Sequence, residues 1–190
     1  DADNDGWNDL LVANGHVDDR TWFDPEQRYR MPAQMFANHG DGTFRDVSGD
    51  AGEWFRTPAL GRAAAAGDLN RDGRLDVVVS NQLERSVILQ NESGSGGESM
   101  VLKLCGTTAA RSPIGARVRV LGIEPMLWRQ LAGGGSYQAA EAAELHVGGL
   151  EERAYRLRVE WPDGNPEEFS DVRPGQWLIR QGDGIWAVRL

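Results

Sequence analysis

The chain has 190 residues, a formal net charge of −9 at pH 7 and one cysteine. The acidic balance argues against nucleic acid as a partner, because phosphate binding requires a basic face. Cys105 cannot form an internal disulfide, and its place in an apolar run favours packing in a strand. No apolar run approaches the roughly 20 residues that span a bilayer as a helix, so we expect no transmembrane segment.

The chain opens with an acidic segment, DADNDGWND at residues 1–9, which leads into the apolar residues 10–12. The same pattern, D-x-[DN]-x-D-G-x-x-D, recurs as DLNRDGRLD at residues 68–76 and again leads into apolar residues, at 77–79. Two copies with matching positions indicate a repeated unit in which a loop leads into a strand.

Both segments have the composition of a calcium-binding loop. Ca²⁺ takes six to eight oxygen ligands at about 2.3–2.6 Å, and crowded carboxylates repel one another unless a cation lies among them. We expect two structural Ca²⁺ ions, each bound by the side chains at loop positions 1, 3, 5 and 9 and by the backbone carbonyl at position 7. The predicted ligands are Asp1, Asp3, Asp5, Trp7 and Asp9 in the first loop and Asp68, Asn70, Asp72, Arg74 and Asp76 in the second.

The sixth loop position is glycine in both copies, Gly6 and Gly73, where a sharp turn with positive φ favours glycine. An EF-hand loop opens in the same way but requires Glu at position 12 and helices on both sides. Val12 and Val79 occupy that position, which argues against an EF-hand. Clusters of Asp, Asn and Gly also form simple turns, but matching copies favour calcium. An amide replaces one carboxylate in the second loop, so we expect weaker binding there.

Residues 1–92 are interpreted as β repeats: a loop and strand, an irregular insert at about 15–32, a hairpin, and the second loop and strand. The hairpin is predicted at 38–47, where Asp41-Gly42 is a strong turn signal. The alanine run 63–66 is predicted to be a strand that enters the second loop. Because Asp1 is itself a predicted ligand, we expect further blades upstream of this segment.

Residues 93–99, SGSGGES, have the composition of a flexible linker, and we place the domain boundary there. Residues 100–190 are predicted to form a second all-β unit, because apolar and polar residues alternate with period two in several segments. Its predicted core includes Ile114, Val118, Val120, Leu157, Val159, Trp161 and Leu178. The candidate strands are 100–105, 116–122, 126–132, 136–147, 154–161, 166–170, 176–180 and 185–189, although alanine content also allows a short helix at 139–145.

These motifs resemble a known combination of domains. The two acidic loops, with the segment NHGDGTFRDV at 38–47 between them, resemble the FG-GAP/VCBS repeat, the calcium-loop blade of the integrin-α β-propeller. The segments RSPIGARV at 111–118, GGGSY at 133–137 and VEWPDG at 159–164 resemble the ASPIC/UnbV domain of the cartilage-acidic-protein-like family. The resemblance implies terminal blades of a β-propeller followed by a β-rich, sandwich- or barrel-like domain. One departure is HVGGL at 146–150, where that family usually has HFGLG.

The resemblance implies an extracellular, periplasmic or cell-surface setting. We expect a calcium-binding interaction or adhesion module with a protein or glycan partner and no enzymatic activity. Its three histidines, His16, His39 and His146, show no metal spacing. Two alternatives stay open: an accessory or catalytic domain of a polysaccharide-acting or secondary-metabolite (UnbV-like) protein, and a purely structural cap. Most tryptophans are expected in β cores, but Trp22 and Trp54 lie in irregular segments and could form a ligand platform.

Overall fold

The computed structural model describes residues 1–19, 26, 28–94 and 96–188, and these form an all-β protein. The strands of the described residues are arranged in four sheets, two of three strands and two of four. One 3-10 helix, Glu53–Arg56, lies between the first two sheets in sequence. The predicted all-β class, with propeller-type blades followed by a β-rich domain, is therefore confirmed.

The first half contains two antiparallel three-stranded sheets, each with its strands in sequence order. The first loop leads into the first strand of one sheet, and the second loop connects the first two strands of the other. The predicted hairpin is present, since the His39 amide donates to the Thr43 carbonyl at 3.0 Å. The alanine run forms a strand, as expected. The six strands are β1 (Leu10–Val12), β2 (Gln34–Asn38), β3 (Phe44–Asp46), β4 (Gly61–Gly67), β5 (Asp76–Asn81) and β6 (Val87–Leu89).

The second half contains two four-stranded sheets, with strand orders β10-β7-β13-β14 and β12-β11-β8-β9. The pairing of β7 with β13 is parallel and the other pairings are antiparallel. Inward-facing side chains of both sheets form one apolar core, so the sheets pack face to face. The strands are β7 (Glu98–Cys105), β8 (Arg117–Leu121), β9 (Trp128–Gln130), β10 (Glu144–Leu150), β11 (Tyr155–Glu160), β12 (Pro166–Val172), β13 (Gly175–Arg180) and β14 (Gly184–Ala187).

Most of the predicted core lies in this buried cluster. Two predicted members do not. Ile114 is 47% exposed, because it precedes β8 and lies in the turn that leads into it. Leu178 is only half-buried, whereas its neighbour Ile179 is fully buried, because adjacent strand residues face opposite sides of a sheet. The members confirmed as buried are Val118, Val120, Leu157, Val159 and Trp161.

The strand predicted at 136–147 is wrong over its first half. The described residues from 136 to 143 are irregular apart from one isolated bridge between Ser136 and Ala139, and β10 begins only at Glu144. This segment contacts β4 instead. Ser136 Oγ accepts the Ala64 amide at 3.1 Å, and Glu141 Oε1 accepts the Ala66 amide at 3.4 Å. Side chains from the second half thus accept hydrogen bonds from backbone amides along the outer edge of β4.

Strand β7 begins at Glu98, two residues earlier than expected. Gly96 and Gly97, within the segment interpreted as a linker, pack closely on neighbouring backbone; a Cβ at Gly97 would lie 2.9 Å from the Leu150 carbonyl oxygen. The exact domain boundary stays a prediction. Within the described residues, the structure has no helix with the length and apolar character that crossing a bilayer requires.

Candidate metal centre

The two acidic loops share a left-handed backbone at two equivalent positions. Loop position 4 is left-handed in both, with φ of 57° at Asn4 and 62° at Arg71. Position 6 is also left-handed, with φ of 94° at Gly6 and 85° at Gly73. The glycines therefore stand where a positive φ is required, as predicted from the sequence.

Short-range hydrogen bonds turn the side chains of the first loop toward its backbone. Asp1 Oδ1 accepts the Gly6 amide at 3.3 Å, and Asp3 Oδ1 accepts the Asp5 amide at 3.2 Å. Asp5 Oδ1 accepts the Trp7 amide at 2.8 Å. Such side-chain-to-backbone bonds are the local geometry that Asp and Asn favour in turns, and they gather the carboxylates at one side of the loop.

The second loop repeats these bonds at equivalent positions. Asp68 Oδ2 accepts the Gly73 amide at 3.0 Å, and Asn70 Oδ1 accepts the Asp72 amide at 3.1 Å. Asp72 Oδ1 accepts the Arg74 amide at 3.0 Å. The repeat seen in the sequence is thus also a repeat of hydrogen bonding.

Three carboxylates converge in the first loop. Ligand atoms of Asp1, Asp3 and Asp5 all lie within 4.8 Å of one another. Burial raises the pKa of Asp3, and the negative charges of Asp5 and Asp9 raise it further. Oxygen donors at this spacing, whose negative charges repel one another, fit a hard divalent cation such as Ca²⁺.

Asp9, at loop position 9, lies outside that group of three. Its Oδ2 accepts the Ala2 amide at 2.7 Å, and its Oδ1 accepts the Asn38 amide at 2.9 Å. Asn38 in turn donates from Nδ2 to the Asn8 carbonyl at 2.9 Å. Asp9 therefore ties the loop to the end of strand β2, and a ligand role for it stays a prediction.

Asp76 has the same role in the second loop and is buried. Its Oδ2 accepts the Leu69 amide at 3.1 Å, and its Oδ1 accepts the Asn91 amide at 2.8 Å. Asn91 Nδ2 donates to the Leu75 carbonyl at 3.1 Å. Sequence reasoning missed this pair of asparagines. The signal was present, since an apolar residue, one intervening residue and Asn end both segments, FAN at 36–38 and LQN at 89–91.

The electrostatics of the second loop differ from those of the first. Arg74 places its guanidinium Nη2 2.5 Å from Asp72 Oδ2, and Asn70 Nδ2 donates to the same oxygen at 2.9 Å. Desolvation acts to raise the pKa of Asp72, but hydrogen bonds from Arg74 and Asn70 and the charge of Arg74 outweigh it, so the pKa is lowered. In this loop a side-chain cation pairs with the carboxylate at position 5.

The second half of the chain contributes a residue to the first loop that sequence reasoning missed. Arg129 Nη2 lies 3.3 Å from Asp1 Oδ2 and donates to the Gly6 carbonyl at 3.1 Å. The Asp1 side chain is 2% exposed and that of Arg129 is 14% exposed. Arg129 Nε also donates to the His146 carbonyl at 3.2 Å. No local pattern marks Arg129, because its partner is distant in sequence.

A cleft of about 330 Å³ lies between the loops and the second half. Its lining includes Asp1, Asp68, Arg129 and His146. Burial lowers the pKa of His146, and the hydrogen bond to the Gly73 carbonyl opposes this in part. Asp1 and Asp68, the residues at position 1 of the two loops, therefore lie at the same junction between the loops and the second half.

The remaining candidate residues do not converge on this junction. His39 is exposed in the hairpin, and His16 Nδ1 contacts the Asp18 backbone. Trp54 lies in the 3-10 helix and packs edge-to-face on Phe55, with ring centroids 5.3 Å apart. Trp22, the other half of the expected ligand platform, lies outside the described residues.

Comparison with known families agrees with the geometry. A family model described as FG-GAP-like repeat matches residues 1–79, and one described as ASPIC and UnbV matches residues 106–185. A search of curated proteins found no match. The narrower cartilage-acidic-protein-like assignment stays a prediction. FG-GAP repeats are typical of extracellular proteins. The chain thus contains an FG-GAP-like repeat followed by an ASPIC/UnbV domain.

Proposed function

We propose that this chain is a calcium-binding interaction module of an extracellular or cell-envelope protein, in which the ions are structural. The observation that supports the proposal most directly is the convergence of Asp1, Asp3 and Asp5 within 4.8 Å. The second loop has the same backbone and hydrogen bonds, which supports a second, weaker site there.

The ligands proposed for each ion are those of loop positions 1, 3, 5 and 9 with the carbonyl of position 7. A bound Ca²⁺ would supply positive charge to carboxylates that otherwise repel one another. The chain's own residues orient those groups: Gly6 and Gly73 turn the backbone, and Asn38 and Asn91 fasten the carboxylates at position 9. The loops therefore hold the strands of each repeat together.

A non-catalytic role is part of the proposal. Arg129 and His146, two polar groups of the kind that an enzyme or accessory domain uses, line the cleft at the junction. Both already bind the loops, since Arg129 donates to Asp1 and His146 Nε2 lies 3.0 Å from the Gly73 carbonyl oxygen. These contacts favour a structural role over catalysis. The partner of the module is proposed to be a protein or a glycan.

Calcium titration of thermal stability tests the proposal. Extracellular-type sites bind Ca²⁺ at about 10⁻⁴–10⁻³ M, and a ligand that binds only the native state stabilises it by RT ln(1 + [L]/Kd). About 5 mM Ca²⁺ should therefore raise the free energy of unfolding by roughly 1–2 kcal/mol per site relative to chelator. Magnesium at the same concentration serves as the control. An identical Tm in calcium and in chelator would contradict the proposal.

A further inference from the structure

One backbone carbonyl of the second loop receives donors from three separate parts of the chain. The Gly73 oxygen lies 3.1 Å from Asn4 Nδ2 of the first loop, 2.7 Å from Ser99 Oγ of β7 and 3.0 Å from His146 Nε2 of β10. For His146 to donate here, Nε2 must carry the proton. Both loops and the ASPIC/UnbV domain therefore meet at a single atom.

The ASPIC/UnbV domain also packs directly on the backbone of the first loop. The pairing of β10 with β7 is irregular between Val147 and Leu150, and the two glycines there contact the loop. The Gly149 amide donates to the Asn4 carbonyl at 2.9 Å. A Cβ on Gly148 would lie 2.5 Å from Asp1 Oδ2, and one on Gly149 would lie 2.8 Å from the Gly6 backbone nitrogen. Only glycine fits at either position without displacing the loop.

Two further contacts enclose the first loop. Arg129 binds Asp1 and the Gly6 carbonyl from β9. On another side, the Gly96 amide donates to the Asp3 carbonyl at 2.5 Å. Two of the three converging carboxylates thus belong to residues that the rest of the chain holds in place.

We propose that the calcium loops are also the joint that fixes the ASPIC/UnbV domain on the repeats, so that ion binding and domain docking stabilise each other. This inference rests on the proposed function, and it adds the ASPIC/UnbV domain as a determinant of calcium affinity. Docking holds the first loop in one conformation, which reduces the ordering that binding would require. By thermodynamic linkage, the ion stabilises the docked arrangement by the same factor.

The test compares two glycines of the ASPIC/UnbV domain that share a left-handed backbone. Gly149 has φ of 71° and contacts the first loop, whereas Gly122 has φ of 81° and open space around its Cβ position. Alanine at either position carries the same kind of backbone strain, but only Gly149→Ala collides with the loop. Calcium binding by the full chain is measured by titration calorimetry.

We expect Gly122→Ala to bind calcium as the wild type does, and Gly149→Ala to lose one site or to bind there at least about tenfold more weakly. Calcium should also raise the Tm of Gly149→Ala less than that of Gly122→Ala. Equal calcium affinities in the two variants would overturn the proposed coupling between calcium binding and domain docking, while leaving the proposed function intact. Failure of the wild type itself to bind calcium would overturn the proposed function and the joint together.

Gly148→Ala gives a second test that involves no left-handed backbone. Its Cβ would meet Asp1 Oδ2 at 2.5 Å and Asn4 Cα at 2.9 Å, whereas at Gly134 the nearest atom, the Ala139 oxygen, is 3.9 Å away. If Gly149→Ala fails to fold by circular dichroism, this pair decides the question. Weaker calcium binding in Gly148→Ala than in Gly134→Ala supports the joint, and equal binding overturns it.

Discussion

The ASPIC/UnbV domain buries one continuous apolar cluster, to which both of its sheets contribute, while the described part of the FG-GAP-like half buries few apolar residues. Buried apolar residues there are Ala33, Phe55, Ala59, Leu60, Ala63 and Val79. Three of these six are alanines, which bury little area. Since hydrophobic stabilisation scales with the apolar area removed from water, the two halves are stabilised by different means. The described part of the repeat half relies more on the hydrogen bonds of its acidic loops.

Exposed apolar side chains lead to the same conclusion. On the repeat strands, Leu10 is 50% exposed and Ile88 is 69% exposed. In a propeller, repeated blades are arranged radially around a central channel, so such faces are available for contact with adjacent blades. The ASPIC/UnbV core, by contrast, is formed by buried apolar residues of its own two sheets and of the turns beside them. Three predictions test this difference, beginning with the largest expected effect.

Trp161→Ala should be among the most damaging single changes, because truncating a buried Trp costs about 3–5 kcal/mol. Trp161 is 2% exposed, and its buried Nε1 has no hydrogen-bond partner among the described residues. Trp161→Phe should therefore cost much less. Trp54 is a half-buried residue in the 3-10 helix of the repeat half. Trp54→Ala serves as the comparison and should reduce the free energy of unfolding less than Trp161→Ala.

Urea unfolding followed by circular dichroism measures these losses, in calcium and in chelator. The loss caused by Trp161→Ala should be the same in both, because the core of the ASPIC/UnbV domain contains no predicted ligand. A Trp161→Ala variant that unfolds like the parent would show that the apolar cluster is not the source of stability in this half.

Asp5→Ala and Asp72→Ala should each abolish one calcium site, and the site lost with Asp5 should be the tighter one. Arg74 already binds the Asp72 carboxylate, so an ion at the second loop must displace that guanidinium. Arg74→Gln should tighten the second site by about 0.2–1 kcal/mol, or up to roughly fivefold, the range of an exposed ion pair. Titration calorimetry that finds two intact sites in either alanine variant would refute the ligand assignment.

Asp163→Asn should give the smallest effect, and one that depends on pH. Hydrogen bonds from the Asn165 amide and the Thr108 hydroxyl hold the pKa of Asp163 below its ordinary value of 3.8. A depressed folded-state pKa contributes stability above the unfolded value, and that stability is lost as pH falls through the folded value. The difference in Tm between wild type and Asp163→Asn should therefore be present at pH 7 and shrink below about pH 4.

Thr108→Val, which removes one of these donors, should show a smaller version of the same pH dependence. A difference in Tm that stays constant from pH 7 to pH 2.5 would show that ionised Asp163 is not preferred in the folded state. This turn lies far from the two acidic loops in sequence, so chelator should leave the result unchanged.

Local chemistry explains why much of the molecule could be predicted. The loops are short, and their bonds join residues two to seven positions apart, such as Asp5 to Trp7 and Asp9 to Ala2. A nine-residue pattern is therefore enough to predict the backbone conformation of its loop. The alternation in β8 and β11 predicted their buried faces for the same reason, because a strand's period of two is a local property.

The errors occurred where distant parts of the chain decide the outcome. Alternation gave no reason for residues 136–143 to leave the sheet, but Ser136 and Glu141 bind the edge of β4, 72 and 75 residues away. Leu178 and Ile179 are both apolar, and only the pairing of β13 with β7 decides which of them faces the core.

The sequence by itself determined the two acidic loops, the all-β class and the two-part organisation, because each follows from residues close together in the chain. Tertiary structure alone decided that both loops contact the ASPIC/UnbV domain. Arg129 meets Asp1 across 128 positions, and His146 meets Gly73 across 73. Nothing local specifies such contacts, because they exist only once two separately patterned domains pack against each other.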